Sequence, residues 1–383
     1  MNIAVCGTGM TQFGELWGIS PRALARDAVG QAITDANIEK KNIQVLYIAN
    51  MLSGMLGIQA HLGALFAEEL NLHIPAYTIE GACASGGLAI HTAVLSLLSD
   101  EYETALVLGV EKMTDHKPEQ VSLALMGAGS DEERISGATF PGLYALIAQA
   151  HSAKYGTTEK DMAGVAVKNH FHASLNPKAQ YQKTISHEQV LASSCVADPL
   201  KLLDCSPVTD GAAAVVLSKK MTKNSVQIIA SQVATDTLGL AQRNSLTSLD
   251  ATTRASQKAF QQAGITQKDV CIAEVHDCFT IAEILALEDM GFAKKGEAGT
   301  LIALGAFTLG KSKKTVVNTS GGLKACGHPV GATGVKQIVE ITDQLRGRCG
   351  QRNVEHVRVG LAHNVGGTGG TAVVHILQKD PYE

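Results

Sequence analysis

The hydrophobic pattern changes period between Pro75 and Leu98. Pro75-Ala-Tyr-Thr-Ile-Glu80 alternates as a half-buried strand does, and Leu88-Ala-Ile-His-Thr-Ala-Val-Leu-Ser-Leu-Leu98 is an unbroken helix former. The join, Gly81-Ala-Cys-Ala-Ser-Gly-Gly87, holds only small residues. This predicts a strand that turns sharply into a helix, with Cys83 at the turn. Gly327-His-Pro-Val-Gly331 predicts a second helix start, carrying His328.

The same elements recur across the chain. Residues 28–43 match residues 255–270 at a constant offset, each reading as a helix and a turn before a strand (Val45-Leu-Tyr-Ile48 and Cys271-Ile-Ala-Glu-Val275). The two helix starts, Cys83-x-x-Gly86 and His328-x-x-Gly331, come next in each copy. Paired strands follow, at 105–109 with 357–361 and at 210–217 with 369–376. The spacing predicts two copies of one α/β unit, not a solenoid of short repeats. Residues 111–204 have no counterpart in the second copy. They read as irregular around Gly127–Arg134 and helical over Tyr144–Tyr155 and Asp161–His172. The expected division is therefore 1–110 plus 205–222 for the first half, 111–204 for an inserted cover domain, and 223–383 for the second half.

At 383 residues and 45% apolar content the chain can bury more than one core. Only 4% of its residues are aromatic while 38 are glycine, so helices and sheets are expected to approach closely through small residues. A formal charge of -4 gives no basic field for nucleic acid. No apolar run approaches the ~18 residues of a membrane span, and Met1–Gly9 lacks the layout of a signal peptide. Asp380-Pro-Tyr-Glu383 is no peroxisomal address of the Ser-Lys-Leu kind. Eight cysteines in a chain of this length do not make a disulfide scaffold, which points to a reduced, cytoplasmic protein.

Seven motifs stand in order: Gly81-Ala-Cys-Ala-Ser-Gly-Gly87, Val167-Lys-Asn-His170 with Asn176-Pro-Lys-Ala179, Asp204-Cys-Ser-Pro-Val-Thr-Asp-Gly211, His276-Asp-Cys-Phe-Thr280, Asn318-Thr-Ser-Gly-Gly322, Gly327-His-Pro329 and His363-Asn-Val-Gly-Gly367. On these the chain resembles the thiolase superfamily, and within it the thiolases related to the sterol-carrier-protein-2 type and the acetyl-CoA acetyltransferases. The resemblance implies a duplicated α/β fold in five layers (α-β-α-β-α) with an inserted loop domain. It also implies action on acyl-CoA and CoA with no cofactor, and a homodimer or dimer of dimers. Some relatives work beside a small partner protein of the oligonucleotide/oligosaccharide-binding (OB) fold, which this sequence neither supports nor excludes. Where other thiolases carry Asn-Glu-x-Phe, this chain has His276-Asp-Cys-Phe; where they carry a late catalytic cysteine, it has Asn364. The two departures are coupled if Cys278 supplies the missing thiol.

The chemistry needs a nucleophile that also leaves well, and a thiolate does both. Cys83 is expected to be that group, its pKa lowered by the helix start; otherwise it is a small buried filler. His328 is expected to be the base, or else a structural helix cap. Claisen condensation needs a base for an α-proton, expected in Cys278, and a donor for an enolate oxygen, expected in His276. The Cys83 and Gly366 N–H groups are expected to form the oxyanion hole, with His363 and Asn364 supporting from behind. A His-x-Cys pair also suggests zinc, but no ligand cluster completes it, so no metal is expected. Gly305–Ser312 fits the phosphate-loop pattern, yet the β-branched run at 313–320 reads as a strand and not as the helix such a loop needs. The rival from another class is a catalytically idle scaffold of this family that binds lipid or a partner protein. Such a scaffold need not retain Cys83, His276, Cys278 and His328 together.

Overall fold

The computed structural model describes residues 2–222 and 224–379. Met1, Lys223 and the C-terminal tetrapeptide read above lie outside the described residues.

The first half contains β1 (Ala4–Met10), α1 (Pro21–Ala36), β2 (Val45–Ala49), α2 (Leu62–Glu69), β3 (Ala76–Ile79), α3 (Ser85–Leu98) and β4 (Thr104–Glu111). The insertion follows with α4 (Pro118–Leu125), α5 (Asp131–Ile135), α6 (Phe140–Tyr155), α7 (Glu159–Ser174) and α8 (His187–Ala192). A small hairpin, β5 (Cys195–Ala197) and β6 (Leu200–Lys201), closes it, and β7 (Gly211–Ser218) completes the first half. The second half holds β8 (Val226–Thr235), α9 (Asp250–Ala263), β9 (Ile272–Glu274), α10 (Thr280–Asp289), α11 (Ala298–Ala303), β10 (Val316–Val317), α12 (Gly322–Cys326), α13 (Val330–Leu345), β11 (Val359–Gly366) and β12 (Thr371–Lys379).

Strand order carries the duplication. The described residues build one sheet in the order β10-β9-β11-β12-β8-β1-β7-β4-β2-β3. Numbered within its own half, each run of five has its strands in the order third, second, fourth, fifth, first. The two runs meet only where β1 pairs with β8. Helices α3 and α13 touch strands of both runs and each other, so they form a central layer. Helix α1 covers β1 and β7 on one outer face, and α9 covers β8 and β12 on the other. That is the five-layered α/β arrangement.

Local chemistry explains the elements. Helix α1 starts at Ser20, whose hydroxyl accepts from the Ala23 N–H at 3.2 Å, and stops at Asn37 in the left-handed region. A Cβ on Gly7 or Gly9 would overlap the α1 backbone at Ala32 or Ala28, so small residues set the helix-to-sheet distance. The insertion starts less irregularly than its sequence suggests. Pro118 begins α4, and Ser130 with Glu133 forms a capping box for α5. The strand expected over 313–320 shrinks to Val316–Val317, because Asn318 takes φ +57 and leaves the extended path.

Candidate active site

Between β3 and α3 the chain makes one tight turn, in which Ala82 adopts φ +53. A side-chain-bearing residue there costs about 1–2 kcal/mol, so the turn needs support. Ser85 Oγ provides it, accepting from the Gly81 N–H at 3.0 Å and donating to the Ala82 carbonyl at 2.6 Å. Behind the turn, α3 crosses α13 with no room for side chains: a Cβ on Gly86 would sit 2.7 Å from the Gly334 nitrogen. This glycine crossing brings the starts of α3 and α13 together, and with them Cys83 and His328.

Cys83 is buried, and burial pushes its thiol up to about 12; the Glu111 and Glu80 carboxylates act in the same direction. The Gly367 N–H and its own N–H face the sulfur and work the other way. The expectation that the helix start lowers its pKa is thus corrected, because desolvation outweighs the dipole. The resting group is a thiol. The N–H at the sulfur is that of Gly367, while the neighbouring Gly366 packs on the Gly81 carbonyl.

His328 is neutral, held down to about 3 by burial and by Lys336. Its Nδ1 lies 2.7 Å from Thr333 Oγ1, and that hydroxyl donates to the Pro329 carbonyl at 3.0 Å. The hydroxyl can therefore only accept from Nδ1–H, which leaves a lone pair on Nε2. No partner among the described residues meets that buried Nε2. It is free to take a proton.

His276 has the opposite tautomer. Asn364 Oδ1 accepts from the Gly87 N–H at 3.0 Å, so its amide nitrogen is the donor, reaching the Cys83 carbonyl at 2.9 Å and His276 Nδ1 at 3.2 Å. With Nδ1 accepting, the hydrogen sits on Nε2, also buried and without a partner. His363 stands behind: its Nε2 meets Thr252 Oγ1 at 2.9 Å, and its Nδ1 accepts from the His276 N–H at 3.5 Å.

The sulfur of Cys83 and one ring nitrogen each of His276 and His328 lie within 4.8 Å of one another. A metal ion there would need three lone pairs, and Asn364 keeps a hydrogen where the His276 lone pair would have to be. The set suits proton transfer better than coordination. The rings of His276 and His328 stand edge-on with centroids 5.2 Å apart. Cys278 joins Cys83 and His328 on the wall of a cavity of about 190 Å³, with Tyr144, Phe279 and Gly367.

Residues 3–221 match the thiolase N-terminal domain, and residues 232–379 the domain described as thiolase C-terminal domain-like. The chain belongs to the thiolase family. It is 44% identical to the acetyl-CoA acetyltransferase of Methanothermobacter thermautotrophicus, over 99% of this chain and 100% of that protein. It is 31% identical to human sterol carrier protein 2, over 98% of this chain and 72% of that protein. Among solved structures, an Ltp2-ChsH2(DUF35) aldolase superposes with a TM-score of 0.85 at 23% identity, covering 99% and 98% of the two chains, a likeness of fold. The chain is a thiolase-type acyltransferase.

Other thiolase motifs now gain a physical reason. Asn169 on α7 donates to Asp277 Oδ2 at 2.7 Å, Asp277 Oδ1 accepts from the Leu323 N–H at 2.6 Å, and Asn318 Oδ1 accepts from the Val275 N–H at 2.8 Å. Together they clamp the loop bearing His276 and Cys278. Glu111, buried and pushed up to about 7 by desolvation, accepts from the Met51, Leu52 and Gly331 N–H groups and so ties β4 to the start of α13. Neither Glu111 nor Tyr144 stood out in the sequence, since each lies in an ordinary strand or helix pattern. Only the insertion's helical period around Tyr144 hinted that its inward face would meet the site.

Proposed function

We propose that the protein condenses two acetyl-CoA molecules to acetoacetyl-CoA and CoA, and runs the reverse thiolysis, through an acyl thioester on Cys83. The observation that carries this reading is the Cys83 sulfur gathered with one ring nitrogen from each of two buried histidines, whose Nε2 atoms, one a lone pair and one an N–H, have no partner among the described residues. Each unpartnered buried group costs about 1–3 kcal/mol, a cost an idle scaffold has no reason to retain.

In the first half-reaction Cys83 attacks the thioester carbonyl as its proton passes to His328 Nε2. The oxyanion meets the Cys83 and Gly367 N–H groups, and the departing CoA sulfur takes the proton. In the second, Cys278 takes the α-proton of another acetyl-CoA, whose carbonyl oxygen accepts from His276 Nε2–H. The carbanion attacks the acyl carbon, the Cys83 sulfur leaves as a thiolate, and it takes the proton from Cys278, which is then a thiolate again for the next turnover. Every group is a side chain or backbone amide, so no cofactor is required.

A cavity of about 190 Å³ favours a short acyl group over a long-chain 3-ketoacyl substrate. A wider surface hollow of about 690 Å³ near Cys6, Lys41 and Glu103 holds none of these groups. We keep the division at 1–110 with 205–222, 111–204 and 223–383, the middle segment supplying α4 and α6 to the pocket wall. A homodimer or dimer of dimers is proposed from the family. A small OB-fold partner is proposed by analogy with the neighbour whose name includes a DUF35 component. A cytoplasmic setting agrees with eight unpaired cysteines, and no helix among the described residues is long and apolar enough to cross a membrane.

Incubation with acetyl-CoA should add one acetyl group to the Cys83 peptide. Cys278→Ala should still acquire it yet form no acetoacetyl-CoA. An adduct on another cysteine, or full condensation by Cys278→Ala, would overturn the assignment of roles.

A further inference from the structure

The proposed second half-reaction asks Cys278 to act as a thiolate in a buried place. Burial drives its thiol well above its ordinary range, and the neighbouring Cys83 and Asp277 add to the effect. The groups facing it that favour the anion are the Phe279 N–H and the Tyr144 hydroxyl. His276 and His328 are neutral and contribute no positive charge.

Tyr144 reaches Cys278 from α6 of the insertion. Its ring is fully buried and lies 4.7 Å from the Phe279 ring, centroid to centroid, in the residue next to Cys278. Its hydroxyl donates to the Gly367 carbonyl at 3.1 Å, and Tyr144 lines the cavity of about 190 Å³ together with Cys278, whose sulfur the hydroxyl can turn to face. A phenol has one hydrogen to give and lone pairs to receive. Beside a Cys278 thiol, the hydrogen goes to Gly367 and the S–H can donate to the phenol oxygen. Beside a Cys278 thiolate, it turns to the sulfur, a charge-assisted bond and the stronger one.

We infer that Tyr144 is a catalytic residue of the condensation step, its hydroxyl turning between the Gly367 carbonyl and Cys278 to hold the sulfur as the base. This rests on the role proposed for Cys278. No proton leaves Tyr144. When the α-proton passes from carbon to the Cys278 sulfur, the phenol hydrogen returns to the Gly367 carbonyl, and it turns back once Cys278 has passed that proton to the departing Cys83 thiolate. The insertion thereby takes part in the chemistry as well as covering it.

Tyr144→Phe removes the hydroxyl and keeps the ring that stacks on Phe279, so packing is retained. Two measurements test it. In a Cys83→Ala background, where the other pocket thiol is gone, iodoacetamide alkylation of Cys278 is followed by mass spectrometry from pH 7 to 10. Tyr144→Phe should slow it about tenfold below its midpoint, a shift of about one pH unit. With Cys83 present, acetylation from acetyl-CoA should stay within about twofold of the parent while acetoacetyl-CoA formation falls at least tenfold. An unchanged Cys278 profile would overturn the inference. So would equal falls in acetylation and condensation, which would mean that Tyr144 only steadies the Gly367 loop. If the parent itself never acetylates Cys83, the proposed function fails, and the alkylation profile still decides whether Tyr144 governs Cys278.

Discussion

Asn364 and His276 meet at 3.2 Å, amide nitrogen to Nδ1, and that contact decides which ring nitrogen carries the hydrogen. Replacing the amide by a carboxylate reverses it. In Asn364→Asp the new oxygen would accept from Nδ1–H, leaving Nε2 without a hydrogen for the enolate oxygen. Loss of such a donor costs about 2.7–4 kcal/mol. Condensation should fall about 100-fold or more, measured as acetoacetyl-CoA formation, while acetylation of Cys83 falls much less. Equal losses in both steps would show that Asn364 serves the Cys83 turn instead of His276.

The free enzyme should not behave as a ready thiolate. With Cys83 pushed up to about 12, its thiolate fraction at neutral pH is small and grows about tenfold per pH unit. Iodoacetamide modification of Cys83 should therefore climb from pH 7 to pH 9 without a plateau. Acetylation by acetyl-CoA, if His328 accepts the proton during attack as proposed, should be far less steep over that range. A plateau in alkylation near pH 7 would restore the helix-dipole picture.

Acid should destabilise the fold from about pH 6.5 downward. Burial holds His172, His328, His363 and His375 down to about 3 and His170 to about 4, so the unfolded chain binds protons that the folded one refuses. Each such group removes about 1.4 kcal/mol per pH unit once the pH is below its unfolded value. Glu111 and Asp277, raised to about 7, and Asp343, raised to about 6, pull the other way, since they bind protons first in the folded state. With His91 and His276 also depressed and Asp204 and Asp289 also raised, seven histidines outweigh five carboxyls. The melting temperature should drop as the pH goes from 7 to 4; a rise would contradict the burial of these rings.

The glycine crossing can be tested directly. A Cβ on Gly334 would overlap the Gly87 nitrogen and the Asn364 Oδ1. Gly334→Ala should destabilise by about 3 kcal/mol, since backbone cannot yield as a side-chain tip can. Residual folded protein should acetylate Cys83 slowly, because the two helix starts are forced apart. Gly30→Ala, on the exposed side of α1 with open space around it, should leave both stability and acetylation close to the parent.

Much of the fold was legible in order along the chain. The change of period around Cys83, the matching start at His328, the repeated helix-turn-strand at 28–43 and 255–270, and helices α6 and α7 all follow from signals within a few residues. Periodicity, caps and small-residue turns act at that range, so sequence alone carries them. The motif order also carried the family, and the pairing of Cys278 with Asn364 pointed to one branch of it. What tertiary structure decided has a longer reach. The Cys83 thiol is raised because helices and loops from both halves bury it. The Gly367 N–H comes to the Cys83 sulfur because of how the end of β11 meets Gly81. The tautomers of His276 and His328 depend on Asn364 and Thr333, and Tyr144 enters from an insertion with no counterpart in the second half. Desolvation and hydrogen-bond direction are set by groups far apart in sequence that become neighbours only when the two copies close on the central helices.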